Sequence, residues 1–442
     1  MWTEDRIWEW YEKQPWIVGF NYVPSYAVNS TEMWQSGSFD EGQIERELSA
    51  AGKLGYNACR VFIQYLLWKD EREKLFEHFE RFLKIAHSHG IRTVPILFDD
   101  CAFSGKEPYL GRQDEPIEGV HNSGWTPSPG SAAADCGEEY PLLERYVTEF
   151  VTRYGQDERI LLLDLYNEPG NNGREGKCQE LLQSVFRWAR SCSPAQPLTS
   201  GVWSFQEFDL ECAGLSDLVS YHDYSEMKTT VERVGLLEEY NRPLLCTEWL
   251  HRNADNRWET HLPYYKKKRI GLFNWGLVEG RTQTYLSWNE EENLREGGAL
   301  DWQHDVLRKD CTPYREAEIE LLSSLTASDE RPLQIPVQEM TAECMEFLEK
   351  KGLIIRLCPS HHRFEVECGY GIGKDLYRSN DQAGGHKLLY AGINRTAFDA
   401  FGMHDENEEI LLLGGEGEKD LYLLIGLASW EEFLKKKRRG TL

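Results

Sequence analysis

The 442-residue chain has no apolar run long enough to cross a membrane as a helix; the stretch from Leu421 to Ala428 falls far short of the roughly 20 residues a span needs. Its first residues, Met1-Trp2-Thr3-Glu4-Asp5-Arg6, place acids where a secretory signal needs a basic region, and no apolar segment follows. Basic residues are in short supply: Lys+Arg number 49 against 74 Asp+Glu, a net charge of −25. That is the wrong sign for neutralising phosphates or anionic lipid heads, so nucleic acid and membranes are excluded as expected partners. The 11 cysteines are odd in number and contain no Cys-x-x-Cys pair, which argues against a disulfide framework and a zinc ribbon. A reducing, cytoplasmic setting with thiols packed in the core is the expectation. With 40% hydrophobic and 12% aromatic residues, the chain has enough apolar material for a large core, and the acidity reads as a solvated surface.

From about residue 16 to 325, short apolar or β-branched runs alternate with amphipathic segments. Eight candidate strands begin near Ile17, Asn57, Ile91, Ile160, Leu198, Leu218, Pro243 and Ile270. Between the second and third, Leu75, Phe76, Phe79, Phe82, Leu83 and Ala86 form one helical stripe that Gly90 ends. Eight parallel strands in roughly 310 residues predict a closed (β/α)8 TIM barrel rather than an open sheet. Long loops are expected from Asp99 to Tyr140 and from Val278 to Thr312.

In such a barrel, chemistry gathers at the C-terminal strand ends. Polar or aromatic residues stand at all eight: Asn21 and Tyr22, Arg60, Asp99 and Asp100, Asn167 and Glu168, Trp203, His222 and Tyr224, Glu248 and Trp249, and Trp275. Glu168 and Glu248 close the fourth and seventh strands, across the mouth from one another. Paired carboxylates can protonate a leaving oxygen and attack or stabilise an anomeric carbon. Taken singly, each glutamate could equally be an exposed loop residue or a buried salt-bridge partner.

Tyr166-Asn167-Glu168-Pro169, Thr247-Glu248-Trp249, His222-Asp223-Tyr224, Arg60 and Trp275, in strand order, resemble the clan A glycoside hydrolases, in particular the family 5 cellulase-like barrels. The resemblance covers about residues 16 to 325. It implies that Glu168 is the general acid/base and Glu248 the nucleophile of a retaining double displacement. Asn167 would bind the sugar 2-hydroxyl; Arg60 and Tyr224 would hold Glu248 ionised; His222 would lie near the acid/base; Trp275 would floor the reacting subsite. The third strand departs from the family, running Leu97-Phe98-Asp99-Asp100-Cys101 where a histidine is expected. An Asp there either binds a sugar 4- or 6-hydroxyl or caps a loop. In the long loops, Trp125 is a sugar platform or a loop anchor, and Gln283, Tyr285, Trp288, Trp302 and His304 form a second set of such candidates.

The polar run from Ala327 to Pro332 reads as a linker, dividing the chain into a catalytic barrel over 1–327 and a small β-rich accessory domain over 328–442. Five strands are expected there, at Leu353–Leu357, Phe364–Glu367, Lys387–Ala391, Glu409–Leu413 and Leu421–Ile425, with a helix near Trp430 to Lys437. The run from His404 to Glu409, with His361, His362 and His386, faintly resembles a cupin metal motif; spaced histidines and acids in turns also occur without metal, and no metal or cofactor is expected. Packing on the barrel, an oligomer contact or shaping of the pocket are the roles open to this domain. The basic run Lys435 to Arg439 reads as a solvated helix end.

The expected protein is thus a cytoplasmic enzyme hydrolysing β-glycosidic bonds with retention. Because polymers do not enter cells, exo action on oligosaccharides or small glycosides is expected over endo cleavage. Two rivals share the scaffold: a carbohydrate-binding or regulatory protein on an idle barrel, and a transglycosidase using the same residues.

Overall fold

A computed structural model describes residues 1–293, 301–326 and, beyond these, five strands. The chain divides into two compact units, Met1–Ala327 and Ser328–Leu442. In the first, eight strands run β1 (Val18–Asn21), β2 (Ala58–Phe62), β3 (Arg92–Asp99), β4 (Leu163–Asn167), β5 (Leu198–Thr199), β6 (Val219–His222), β7 (Leu244–Trp249) and β8 (Gly271–Asn274). All eight coincide with the expected runs.

These strands pair in parallel in the order β5-β4-β3-β2-β1-β8-β7-β6. The ring closes between β5 and β6 through Val202, whose N–H donates to Ser220 O at 2.9 Å and whose carbonyl accepts from His222 N at 2.8 Å. The strands are buried on both faces and mostly apolar rather than alternating, with polar residues at inward-facing and C-terminal positions. The helices outside present apolar stripes. In Arg72–Ser88 the buried set includes Leu75, Phe76, Phe79, Phe82, Leu83 and Ala86, and Gly90 adopts the left-handed φ of 74° that follows a helix end.

The N-terminal helix Glu4–Glu12 lies upstream of the segment that sequence periodicity marked as barrel. Its Ile7, Trp8 and Tyr11 pack with Ile17, Ala58, Val94, Leu161, Leu218, Leu245 and Phe273, residues at the N-terminal ends of the strands. The helix therefore plugs the face opposite the site. Tyr11 Oη donates to Arg269 O at 2.6 Å and accepts from Gly271 N at 3.0 Å, tying the plug to the start of β8.

On the other face, the loops after β3 and β8 meet. Asn122 N donates to Thr282 O at 2.8 Å, Gln283 Nε2 to Ile117 O at 2.7 Å, and Asn293 Nδ2 to Gly119 O at 2.9 Å. Since β2 and β1 lie between β3 and β8, this joint forms a wall over that arc of the mouth.

In the second unit, β9 (Ile355–Ser360), β10 (Arg363–Cys368), β11 (His386–Leu388), β12 (Ile410–Gly414) and β13 (Asp420–Ile425) pair antiparallel in the order β11-β10-β9-β13-β12. The expected linker, the terminal helix with its basic run, and the group His361, His362 and His404 to Glu409 lie outside the described residues.

Barrel closure leaves no room at Gly19 in β1: a Cβ there would stand 2.3 Å from the Phe273 ring and 2.9 Å from Ala58 O. Gly19→Ala is expected to cost about 1–3 kcal/mol, read as a lowered urea midpoint at unchanged slope.

Candidate active site

The interior end of the barrel is organised by Arg60 on β2, which is fully buried. Its guanidinium donates to Asp164 on β4 at 2.8 Å, to Asn21 Oδ1 at 2.9 Å, to Asn167 Oδ1 at 2.6 Å and to Glu248 Oε1 at 2.9 Å. Four acceptors on β1, β4 and β7 thus converge on one planar cation, whose fork of fixed donors a lysine could not reproduce. Tyr224, just beyond β6, donates to the other Glu248 oxygen at 2.7 Å. Burial, together with the negative charge of Glu248, pushes the Tyr224 hydroxyl well above its ordinary pKa, so it stays a donor.

Glu168 follows β4 with a left-handed φ of 43°, a strained position for a residue carrying a Cβ. The segment Glu168-Pro169-Gly170-Asn171 is closed by Asn171 N donating to Glu168 O at 3.0 Å, with Gly170 at φ 88°. Proline followed by a positive-φ glycine is the signature of a type II turn. This turn carries Glu168 back over the rim, where an oxygen of Glu168, an oxygen of Glu248 and a ring nitrogen of His222 all lie within 4.8 Å of one another. His222 Nδ1 is 2.6 Å from Glu168 Oε1 and 3.4 Å from Glu248 Oε2. A Glu-His-Glu triangle of this size has donors a cation could use, but Arg60, Tyr224 and His222 already occupy the carboxylate oxygens that face it.

Burial acts to raise both carboxyls. For Glu168, the hydrogen bond and charge of His222, with donation from Cys101 and Asn171, outweigh burial and hold it below its ordinary pKa. Glu248 is held above its ordinary pKa by burial; His222 and Arg60 pull it down while the like charge of Glu168 pushes it up.

Around this centre the expected site residues take different stations. Asn167 is clamped from both sides, accepting from Arg60 and donating to Asp99 Oδ1 at 2.8 Å. Asp99 also accepts from Cys101 N at 3.0 Å and, through Oδ2, from Trp125 Nε1 at 2.7 Å. Burial raises it to about 7. Asp100 accepts from Tyr166 Oη at 2.8 Å, Gly170 N at 2.8 Å and Arg174 Nε at 3.0 Å. Both aspartates are buried and accept from protein donors, bracing Asn167 and the turn after β4. Trp275 stands at the mouth, edge-on to Phe62 and Trp125. Trp125, anchored by Asp99, joins Phe62 and Trp275 in an aromatic bed. Trp203 is partly buried and donates to Pro169 O at 3.1 Å. Trp249 lies outside the cluster: fully buried, it packs on Trp258 and Tyr265 of the helix Trp258–Lys268, because its neighbour Glu248 takes the inward position.

Three contributors were not singled out from sequence. Asp164 had a legible signal, a lone charge within the apolar run of β4. Cys101 and Asn171, which both touch Glu168, had none, since a cysteine and an asparagine in loops are unremarkable locally.

No protein-family model and no curated protein matches the chain. Solved structures do. A GH5_18 protein from Bifidobacterium longum subsp. longum in complex with Manb1-4GlcNAc is 13% identical, aligned over 70% of this chain and 78% of its own, with a TM-score of 0.50. A glycoside hydrolase family 5 mannosidase from Rhizomucor miehei is 13% identical over 71% and 93%, with a TM-score of 0.49. An exo-beta-1,4-mannosidase from Opitutaceae bacterium strain TAV5 is 16% identical over 72% and 61%, also with a TM-score of 0.49.

Behind Trp275, Asp305 is fully buried, accepts from Thr284 Oγ1 at 3.0 Å, and is pushed up to about 8 by burial. The folded chain therefore keeps a proton that the unfolded carboxyl releases near its ordinary 3.8, and stability must fall as pH rises from 3.8 towards 8. Asp305→Asn, which keeps an acceptor for Thr284, is expected to flatten that decline relative to the unaltered protein, by at most about 1.4 kcal/mol per pH unit, in urea titrations across the window. The chain thus has the (β/α)8 fold found in solved glycoside hydrolase structures, with two glutamates meeting at the C-terminal mouth of its barrel.

Proposed function

We propose that the barrel, residues 1–327, is a retaining β-glycoside hydrolase and that 328–442 is an accessory domain. The observation that carries this reading is the pairing of Glu168 with Glu248: carboxylate oxygens within 4.8 Å, one anchored by Arg60 and Tyr224. Retaining enzymes hold their carboxyl groups about 5–5.5 Å apart, whereas inverting ones leave about 6.5–9.5 Å for a water. A pair of carboxylate oxygens within 4.8 Å supports the shorter, retaining spacing.

In the first step Glu248 attacks the anomeric carbon, the glycosidic C–O bond breaks, and the leaving oxygen takes the proton of Glu168. In the second, Glu168 removes a proton from water as the hydroxide portion displaces Glu248 from the sugar. The first step starts from a neutral Glu168 and an ionised Glu248, the reverse of the direction in which their surroundings bias the empty site, and the second from an ionised Glu168 with Glu248 bonded to the sugar. His222 supplies the connection. Its Nδ1 lies 2.6 Å from Glu168 Oε1, one hydrogen bond from the acid, while the negative charge of Glu248 is held between Arg60 and Tyr224. Asn167, clamped by Arg60 and Asp99, presents its amide beside the reacting carbon, where a 2-hydroxyl contact strengthens as positive charge develops. Trp275 offers an apolar face to the sugar ring.

The wall formed by the loops after β3 and β8 favours a pocket over an open cleft, and hence release of a terminal sugar from oligosaccharides or small glycosides. Such substrates suit a cytoplasmic enzyme. Among the described residues no helix is long and apolar enough to cross a membrane.

The test is hydrolysis of aryl β-glucoside, β-galactoside, β-mannoside, β-xyloside and α-arabinofuranoside by the unaltered protein and by Glu248→Gln. Turnover of at least one substrate, lost by several orders of magnitude in the variant, is expected, with the first-formed product keeping the anomeric configuration of its substrate by NMR. Equal rates in both proteins would remove Glu248 from its role, an inverted first product would exclude the double displacement, and silence across the panel would leave a binding protein as the better reading.

A further inference from the structure

The acid/base carboxyl is gripped on the side away from His222. Glu168 Oε2 accepts from Cys101 Sγ at 3.2 Å and from Asn171 Nδ2, and the two donors also touch each other, Asn171 Nδ2 lying 3.5 Å from Cys101 Sγ. Neither donor arrives by accident of a mobile side chain. Asn171 is the last residue of the Glu-Pro-Gly-Asn turn, so the backbone bond that closes the turn also brings its amide over the carboxylate three residues earlier. That turn is held in place: Gly170 N donates to Asp100 Oδ2, and a Cβ on Gly170 would come within 2.7 Å of the Phe208 ring. Cys101 is buried, its backbone N–H is bound to Asp99, and its sulfur receives a second contact from Asn167 Nδ2 at 3.6 Å. Burial, with Asp99 and Glu168 beside it, pushes the thiol well above its ordinary pKa, so the group remains an S–H donor.

We propose that Cys101 and Asn171 are positioning residues that hold Glu168 Oε2 by donating to it, leaving Oε1 to exchange a proton with His222 and the leaving oxygen. The proposal rests on the reading of Glu168 as the acid/base. Donors aimed at a carboxylate stabilise its ionised form, so the pair sets how readily Glu168 gives up its proton. The titratable groups facing Glu168 are His222 from β6, Tyr224 beyond β6, Glu248 from β7, and Asp99 and Cys101 from the end of β3. All but Cys101 are kept in the variants below.

The test compares Cys101→Ala and Cys101→Ser, two small changes with opposite consequences for the hydrogen bond. Loss of the donor in the Ala variant weakens the acid and moves the alkaline limb of the kcat/KM profile upward by about half a pH unit. The stronger hydroxyl donor of the Ser variant moves it downward, and Asn171→Ala moves it upward like Cys101→Ala. A purely structural thiol would lower activity in both cysteine variants without shifting the limb in opposite directions. The same midpoint is read without turnover by 13C NMR of carboxyl-labelled glutamate, the Glu168 signal being the one lost in Glu168→Gln. Opposite displacements in the two cysteine variants support the clamp; displacements in one direction, or none, overturn it. Clamp shifts in the NMR titration with no turnover of any glycoside would overturn the acid/base reading while leaving the contact itself intact.

Discussion

The C-terminal end of this barrel depends on one buried cation. Arg60 sits where water cannot reach it, and a lone guanidinium there would be ruinously costly. Its partners make it tolerable: Asp164 beside it, Glu248 across the barrel, and the carbonyl oxygens of Asn21 and Asn167 filling the remaining donors. The dependence is mutual. Without Arg60, two carboxylates and two amides would converge on nothing, so the strand ends that carry them are held at a common depth by a single planar fork.

From that fork the site is built outward in layers of hydrogen bonds. Asn167 passes the constraint to Asp99, Asp99 passes it to Trp125 and Cys101, and Cys101 returns it to Glu168. Glu168 is thus tied to the same network as the anchor of Glu248, by a route through β3. This explains what a third strand ending in Asp-Asp-Cys is for. The two aspartates, which sequence alone left as sugar ligands or loop caps, are buried and accept from donors of β4, its following turn and the loop after β3. Electrostatics follow from the same geometry. Dry surroundings push Asp99, Asp305 and Glu248 towards their neutral forms, while His222 biases Glu168 the other way.

The strain at Glu168 belongs to this picture. A β4 strand that simply continued would point the glutamate along the ladder; the left-handed residue and the following Pro-Gly turn carry it back over the mouth to meet His222 and Glu248. The conformational cost is offset by the hydrogen bonds that the turn makes with Asp100 and its own closing bond.

By itself the amino-acid sequence determined the eight strands, their order and the helices between them, because apolar periodicity and glycine stops are local signals that act within a few residues. It also marked Glu168, Glu248, Arg60, Asn167, His222 and Tyr224, since polar residues closing apolar strands are conspicuous. The N-terminal plug was missed because one short helix lies outside the repeating pattern. Tertiary structure alone decided which way each strand-end residue faces and which lone pair each donor takes: Trp249 outward against a helix, Asp164 under Arg60, Cys101 and Asn171 on Glu168, and the loops after β3 and β8 joined to each other. Those outcomes join residues tens to hundreds of positions apart, and only closure of the barrel, which fixes every strand's tilt and depth together, brings them within hydrogen-bonding distance.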